Sequence, residues 1–331
     1  MEIQTLTISD KLHPDESVQG FMARLAQLNG IKHVKWVWSA ANLAFRQVQF
    51  DDTQIKGLAT LAGLDFEQLR LQAPSPLRRK ARRTETYVFQ VLGHDLPFSC
   101  IPTQDSRRVC PECLKLSAHH RLIWNFRFAQ VCTDHRIRLV SACPSCKPEN
   151  PRPLDWVVRD VTICKCGHDL RTVSALDASD DEITGQRYIE DVLFDRKPTV
   201  PDLLRGLKLD EVLEVIGLLS DLPSKARWLL LGDSHERFGT FDGRYNLASK
   251  EPDPMLGFRL SLGLAICQQP PEHVKAALIN AAADEQIWAD FDFKRVLQTL
   301  RSQMMEWDGK GHEVGRLIND VLASRGIGIP W

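Results

Sequence analysis

Five cysteines lie close together between Cys110 and Cys146, and their spacing with His135 predicts metal binding. Cys110-Pro-Glu-Cys113 is followed, after eighteen residues, by Cys132-Thr-Asp-His135, which makes a C-x2-C…C-x2-H pattern. A C-x2-C pair fits on one tight turn, where it can hold two thiolates about 3.7 Å apart, the edge of a tetrahedron with Zn–S bonds of about 2.3 Å. We therefore predict a zinc ion bound by Cys110, Cys113, Cys132 and His135.

A second set of cysteines repeats this arrangement. Cys143-Pro-Ser-Cys146 follows His135 after seven residues, and a gap of seventeen leads to Cys164-Lys-Cys166. These four cysteines predict a second zinc ion, although His168 could replace one thiolate, so the fourth ligand stays open between Cys166 and His168. Each set closes at four protein ligands, whereas a catalytic zinc keeps a position open for water. Both ions are therefore expected to be structural.

Other uses of the cysteines fit the sequence less well. The N-terminus, MEIQTLTISDKLHPDE, lacks a basic segment followed by an apolar one, and no apolar run is long enough to span a membrane, so we expect a cytoplasmic protein. In a reducing compartment clustered cysteines hold metal more often than they form disulfides, and the odd total of nine agrees with this. Cys100 and Cys267 have no partners in the pattern and are expected to be buried small side chains.

The segment HHRLIWNFRFAQV lies between the two ligand pairs of the first set. Its apolar residues Leu122, Trp124, Phe126 and Phe128 alternate, which fits a strand, but a helix is also possible. A small zinc module has little other core, so these aromatics are expected to pack over the metal sites. The alternative is that Trp124 stacks on a nucleic-acid base.

Two helical segments precede the cysteines. DESVQGFMARLAQLNG predicts a helix capped by Asp15 and ended by Asn29-Gly30. IKGLATLAGLDFEQLRLQ has the organisation of a helix-turn-helix, with Gly63 at the turn and a second helix from about Phe66. That second helix would present Glu67, Gln68, Arg70 and Gln72, either to DNA or to the rest of the protein.

A basic run, APSPLRRKARRTE, follows this pair of helices. Its charges are suited to phosphate contact, where binding is driven by counterion release, but a solvated linker is an equal alternative. With Arg70, the residues that we predict to contact nucleic acid are Arg78, Arg79, Lys80, Arg82 and Arg83.

The two halves of the chain differ in charge and in pattern. Residues 1–172 contain 24 Lys/Arg and 17 Asp/Glu, while residues 173–331 contain 18 and 26. This asymmetry indicates a polyanion partner for the first half and a protein partner for the second, unless it is ordinary surface variation. Apolar residues recur at helical spacing in residues 207–219 and 313–324.

The predicted fold is mainly α with small zinc-stabilised β and loop modules. We expect a helical N-terminal domain over residues 1–99, a tandem zinc-binding module over 100–173 and a helical C-terminal domain over 174–331. The sequence has no G-x-x-x-x-G-K-[ST] loop, no H-E-x-x-H motif and no compact group of carboxylates that would bind a catalytic metal. We therefore do not expect an enzyme, and a zinc enzyme is the least favoured class.

The order DESVQGFMARLAQLNG, CPECL, RLIWNF…VCTDH and CPSC…CKCG resembles the TniQ/TnsD family of transposon target-selection proteins over residues 12–172. The resemblance implies a non-catalytic adaptor that recognises DNA, or an RNA-guided CRISPR effector, and recruits an AAA+ ATPase that brings the transposase. It implies that the two cysteine sets hold the family's zinc ions, and that the protein could dimerise.

The function predicted from the sequence is thus target selection in transposition. The alternative is a zinc-containing DNA-binding regulator unrelated to transposition. The sequence leaves open whether the target is DNA or a CRISPR effector, and which half of the chain contacts the ATPase.

Overall fold

The computed structural model describes residues 6–327 except residues 46, 48, 81–84, 98–99, 101–106, 147–151, 157–159, 239–255 and 307–312. The chain forms two compact units, which hold most of the residues up to Ser179 and most of those from Asp180 onward. The predicted fold class, mainly α with small strand content, is confirmed. The division into domains 1–99, 100–173 and 174–331 stays a prediction.

The described part of the first unit combines short helices with short strands. The helices are α1 (Val18–Leu28), α2 (Lys35–Ala40), α3 (Asp52–Ala62), α4 (Phe66–Gln72) and α5 (Pro111–Leu116), with 3-10 turns at Leu122–Asn125 and Leu170–Thr172. The strands are β1 (Ser75–Lys80), β2 (Glu85–Val91), β3 (His94–Pro97), β4 (Val131–Cys132), β5 (Ile137–Arg138), β6 (Ala142–Cys143) and β7 (Arg152–Pro153).

Helix α1 is capped by Ser17, so the prediction of an Asp15 cap was wrong. The Ser17 hydroxyl accepts a hydrogen bond from the Gly20 amide at 3.0 Å, the bond that an N-cap side chain normally makes. Asp15 instead accepts from His119 Nε2 at 2.9 Å, which ties the start of the helix to the segment after α5. A Cβ at Gly20 would lie 2.6 Å from the His120 Cβ, so only glycine permits this close approach.

Helices α3 and α4 form the two-helix segment expected from the sequence. Asp51 and Gln54 make a capping box at the start of α3, and Gly63 ends it in the left-handed conformation. Asp65 then caps α4, which begins at Phe66. The chain continues into the sheet β1-β2-β3, where the Leu92-Gly93 turn joins antiparallel strands β2 and β3.

From Asp180 onward, the regular elements of the described residues are helices. They are α6 (Asp180–Leu193), α7 (Leu209–Ser220), α8 (Ser224–Leu231), α9 (Leu256–Cys267), α10 (Pro271–Ala283), α11 (Glu285–Ala289), α12 (Phe291–Glu306) and α13 (Glu313–Ala323), with 3-10 turns at Asp202–Leu204 and Gly232–Phe238. Helix α9 packs against both α6 and α7. Both helices expected from apolar spacing are present, as α7 and α13. In the described parts of the chain, no helix has the length and apolar character needed to cross a membrane.

Candidate metal centres

The residues of the first predicted zinc site come together in the structure. Their donor atoms all lie within 4.8 Å of one another. His135 Nδ1 is 3.2 Å from the Cys113 sulfur, 3.5 Å from that of Cys132 and 3.6 Å from that of Cys110. The sulfurs of Cys113 and Cys132 are 3.5 Å apart. These separations are close to the edges of a tetrahedron around zinc.

Local structure explains this arrangement. Cys110 is the N-cap of α5, and its sulfur accepts from the Cys113 amide at 3.4 Å, so the two thiols share one turn. Cys132 ends β4, and His135 lies in the loop that returns to β5. The loop closes through a left-handed Arg136, whose amide donates to the Cys132 carbonyl at 2.8 Å.

The second predicted set also comes together, with Cys166 as its fourth member. The sulfur of Cys143 is 3.7 Å from that of Cys166, and the sulfur of Cys146 is 3.6 Å from that of Cys164. All four sulfurs lie within 4.8 Å of one another. The ring of His168 is not in this group, although its carbonyl accepts from the Cys164 amide at 2.9 Å. The geometry therefore favours Cys166 over His168.

The electrostatics of both clusters fit a bound cation. Hydrogen bonds from Cys113 and Cys132 lower the pKa of Cys110 to about 3. The same hydrogen bond between Cys113 and Cys110 raises the pKa of Cys113 far above its usual value. A hydrogen bond donated by the His168 backbone amide lowers the pKa of Cys166 to about 7. The hydrogen bond between Cys146 and Cys166 raises the pKa of Cys146 to about 12. Packed thiols oppose one another's ionisation, and a divalent ion would remove that opposition.

Two adjacent arginines hold the ligand loops in place, and the sequence analysis missed both. Arg107 is buried and donates to the carbonyls of Val161 at 2.8 Å and Ile163 at 2.7 Å, directly before Cys164. Arg108 donates to the carbonyls of Phe126 and Ala129, at 2.6 Å for Ala129, shortly before Cys132. Burial lowers the pKa of each arginine to about 10, so both stay charged at neutral pH.

The backbone of residues 107–109 also connects the two centres. Val109 exchanges hydrogen bonds with Val140, three residues before Cys143. The Arg107 amide donates to the Leu154 carbonyl at 2.8 Å, next to β7, which pairs with β6. One short segment thus contacts the ligand loops of both clusters.

The aromatic segment between the ligand pairs is part of the core. Leu122, Trp124, Phe126 and Phe128 are buried, and the rings of Phe126 and Phe128 stack at 5.3 Å. Trp124 packs edge-on against the buried His120. The segment therefore packs inside the protein, as expected, and the buried Trp124 has no face available for a nucleic-acid base.

Of the six predicted nucleic-acid contacts, the structure describes the side chain of Arg70 alone. Arg70 forms an ion pair with Asp52 at 2.9 Å. On the same helix Gln68 and Gln72 donate to backbone carbonyls of residues 12–14, which favours packing of α4 over DNA reading. Arg82 and Arg83 lie outside the described residues. Arg78, Arg79 and Lys80 lie in β1, where only the backbone is described. Nucleic-acid contact by these residues stays a prediction.

The fold and the two clusters define a mainly helical protein with two four-donor candidate metal centres. Residues 7–139 match the protein-family model TniQ. The match confirms the resemblance to the TniQ family, and this region is a TniQ domain that includes the first cluster and ends before the second. The domain associates the chain with DNA transposition. No curated protein that was searched matches the sequence.

Proposed function

We propose that the chain is a non-catalytic adaptor that selects the target for DNA transposition. The observation that carries the proposal is the TniQ domain over residues 7–139. The adaptor would contact the target, either DNA or an RNA-guided CRISPR effector, and recruit an AAA+ ATPase that brings the transposase. We propose that it acts in the cytoplasm, where these events would occur.

Both clusters would hold structural zinc. Sulfur and imidazole donors at tetrahedral spacing suit Zn²⁺, and four protein donors leave no position for a reacting water. The ion would cross-link segments of the chain and would take no part in a reaction. Cys110 and Cys113 would fix the start of α5, while Cys132 and His135 would fix the β4–β5 loop, so the metal would stabilise the surface that the adaptor presents.

The opposite charges of the two halves suit a protein that bridges unlike partners. A basic first half, with 24 Lys/Arg against 17 Asp/Glu, attracts nucleic acid. An acidic second half, with 18 against 26, repels nucleic acid and is better suited to a protein partner. The adaptor would therefore contact its target mainly through residues 1–172.

A bridging experiment tests this proposal. The full chain, loaded with zinc, would be immobilised and offered the AAA+ ATPase and transposase from the same transposon, with and without target DNA or the CRISPR effector. Retention of the ATPase together with either target would support the adaptor. Retention of DNA with no ATPase under any condition would instead support a DNA-binding regulator unrelated to transposition.

A further inference from the structure

A short exposed segment around α2 has the composition of a nucleic-acid contact. Trp36 is 68% exposed, the highest value among the exposed tryptophans of the described residues. Lys32, His33 and Lys35 beside it are exposed as well, while Val34 between them is buried. An indole and three potential cations thus share one small surface, which we call the Trp36 surface.

The Trp36 surface lies in a stretch without acidic residues. Residues 17–50 contain no Asp or Glu, although a stretch of that length would carry about four at the average of this chain. Among the described residues, no carboxylate pairs with Lys32 or Lys35. The charged side chains of this stretch are therefore all basic, which favours a polyanion over an acidic protein segment.

Packing beneath the segment holds the backbone of Trp36 in position. Val37 and Trp38 on the other face of α2 are buried, and Trp38 stacks on Phe50 at 6.4 Å. The Trp36 amide donates to the His33 carbonyl at 3.0 Å. The Lys35 ammonium lies 5.1 Å from the centre of the Phe45 ring, which limits its motion. Because the backbone that carries the exposed indole is already fixed, little backbone entropy is lost when a planar group stacks on the ring.

We propose that the Trp36 surface binds a single-stranded segment of nucleic acid. One unpaired base would stack on Trp36, and Lys32 and Lys35 would contact the flanking phosphates. A duplex offers no free base face to an indole, and two lysines neutralise few of its phosphates, so the unpaired form is preferred. This inference rests on the proposed function, because it identifies nucleic acid as a direct contact of the adaptor.

Fluorescence anisotropy with the zinc-loaded full chain tests the inference. The probes are a labelled single-stranded DNA of about 12 nucleotides, an RNA of the same sequence, and the matching DNA duplex. We expect both single strands to bind more tightly than the duplex, and the comparison of DNA with RNA to show which one the surface prefers. Wild-type protein that fails to bind either single strand would overturn the proposal.

Substitutions locate the contact. Trp36→Ala should weaken single-strand binding by about fivefold to a hundredfold, the usual effect of removing one base–aromatic stack, and Trp36→Phe should retain part of the affinity. Lys32→Ala with Lys35→Ala should reduce the slope of log affinity against log salt by about 1.4, since each phosphate contact on a single strand contributes about 0.7.

Trp228→Ala is the matched control, because Trp228 is also exposed, at 52%, and lies in the second unit. It should bind as the wild type does. Equal affinities for Trp36→Ala and Trp228→Ala would overturn the proposal, as would an unchanged salt slope. Loss of ATPase binding by Trp36→Ala with full nucleic-acid affinity would assign the surface to a protein and also refute it. The bridging experiment is independent of these outcomes, so the two proposals can fail separately.

Discussion

At the scale of single residues, the two four-donor clusters were predictable and the residues that support them were not. A C-x2-C pair positions its two thiols through one local turn, so spacing alone identified Cys110 with Cys113 and Cys143 with Cys146. Arg107 and Arg108 contact carbonyls between eighteen and fifty-six positions away. Backbone carbonyls leave no mark in the sequence, so no pattern could reveal these contacts.

Replacing one ligand should remove one metal ion. We expect zinc content, measured by elemental analysis, to fall from about two ions per chain to about one in Cys110→Ser and in Cys143→Ser. Both variants should be poorly folded, because metal-binding energy in such modules is also folding energy. Cys267→Ser is the control, since Cys267 is buried outside both clusters and should leave two ions bound. One ion or none in the wild type would refute the ligand assignment.

The two arginines should each protect a different centre. Arg107→Met leaves the carbonyls of Val161 and Ile163 without their charged donor, so a chelator should remove metal faster from the second centre. Arg108→Met should have the same effect on the first centre. Cobalt substitution distinguishes the sites, because absorption depends on the number of thiolates bound. If neither variant released the ion of its own centre faster than the wild type does, the assigned supporting roles would be wrong.

At the scale of elements, amphipathic helices were easier to predict than paired strands. Helix α13 buries Val314, Leu317, Ile318, Val321 and Leu322, the apolar face seen in its sequence. The sheet β1-β2-β3 was missed because its first strand coincides with the basic run, whose composition indicates an exposed segment. The Leu92-Gly93 turn between β2 and β3, with both residues at positive φ, was the signal available for a hairpin.

Close helix packing in the second unit should depend on Gly263. A Cβ at this position of α9 would overlap the carbonyl oxygen of Ile216 on α7, and backbone cannot move aside easily. Gly263→Ala should therefore lower the free energy of unfolding by about 1–3 kcal/mol or more, measured by urea denaturation. Gly257→Ala in the same helix meets Glu182 atoms no closer than 3.4 Å, so it should be neutral or stabilise by up to about 1 kcal/mol. Equal effects of the two changes would contradict this packing.

At the scale of the whole molecule, the sequence predicted a target-facing first half and a protein-facing second half, and the two compact units suggest how to separate them. A fragment that ends at Ser179 contains both clusters and the TniQ domain. We expect it to fold, to retain two zinc ions and to keep salt-sensitive nucleic-acid binding. It should lose at least one protein partner in a pull-down against the ATPase and any CRISPR effector. Survival of every protein contact would show that the second half is not a docking surface.

Mapping of transposon insertions tests target selection most directly. Cells would carry the transposase, the AAA+ ATPase and a marked transposon, with the wild-type chain, with Cys132→Ser or with no chain, and insertion sites would be sequenced. The adaptor predicts that insertions concentrate at one target only with the wild-type chain, and become rare or scattered in the other two cases. An unchanged number and distribution of insertions in the absence of the chain would contradict the account.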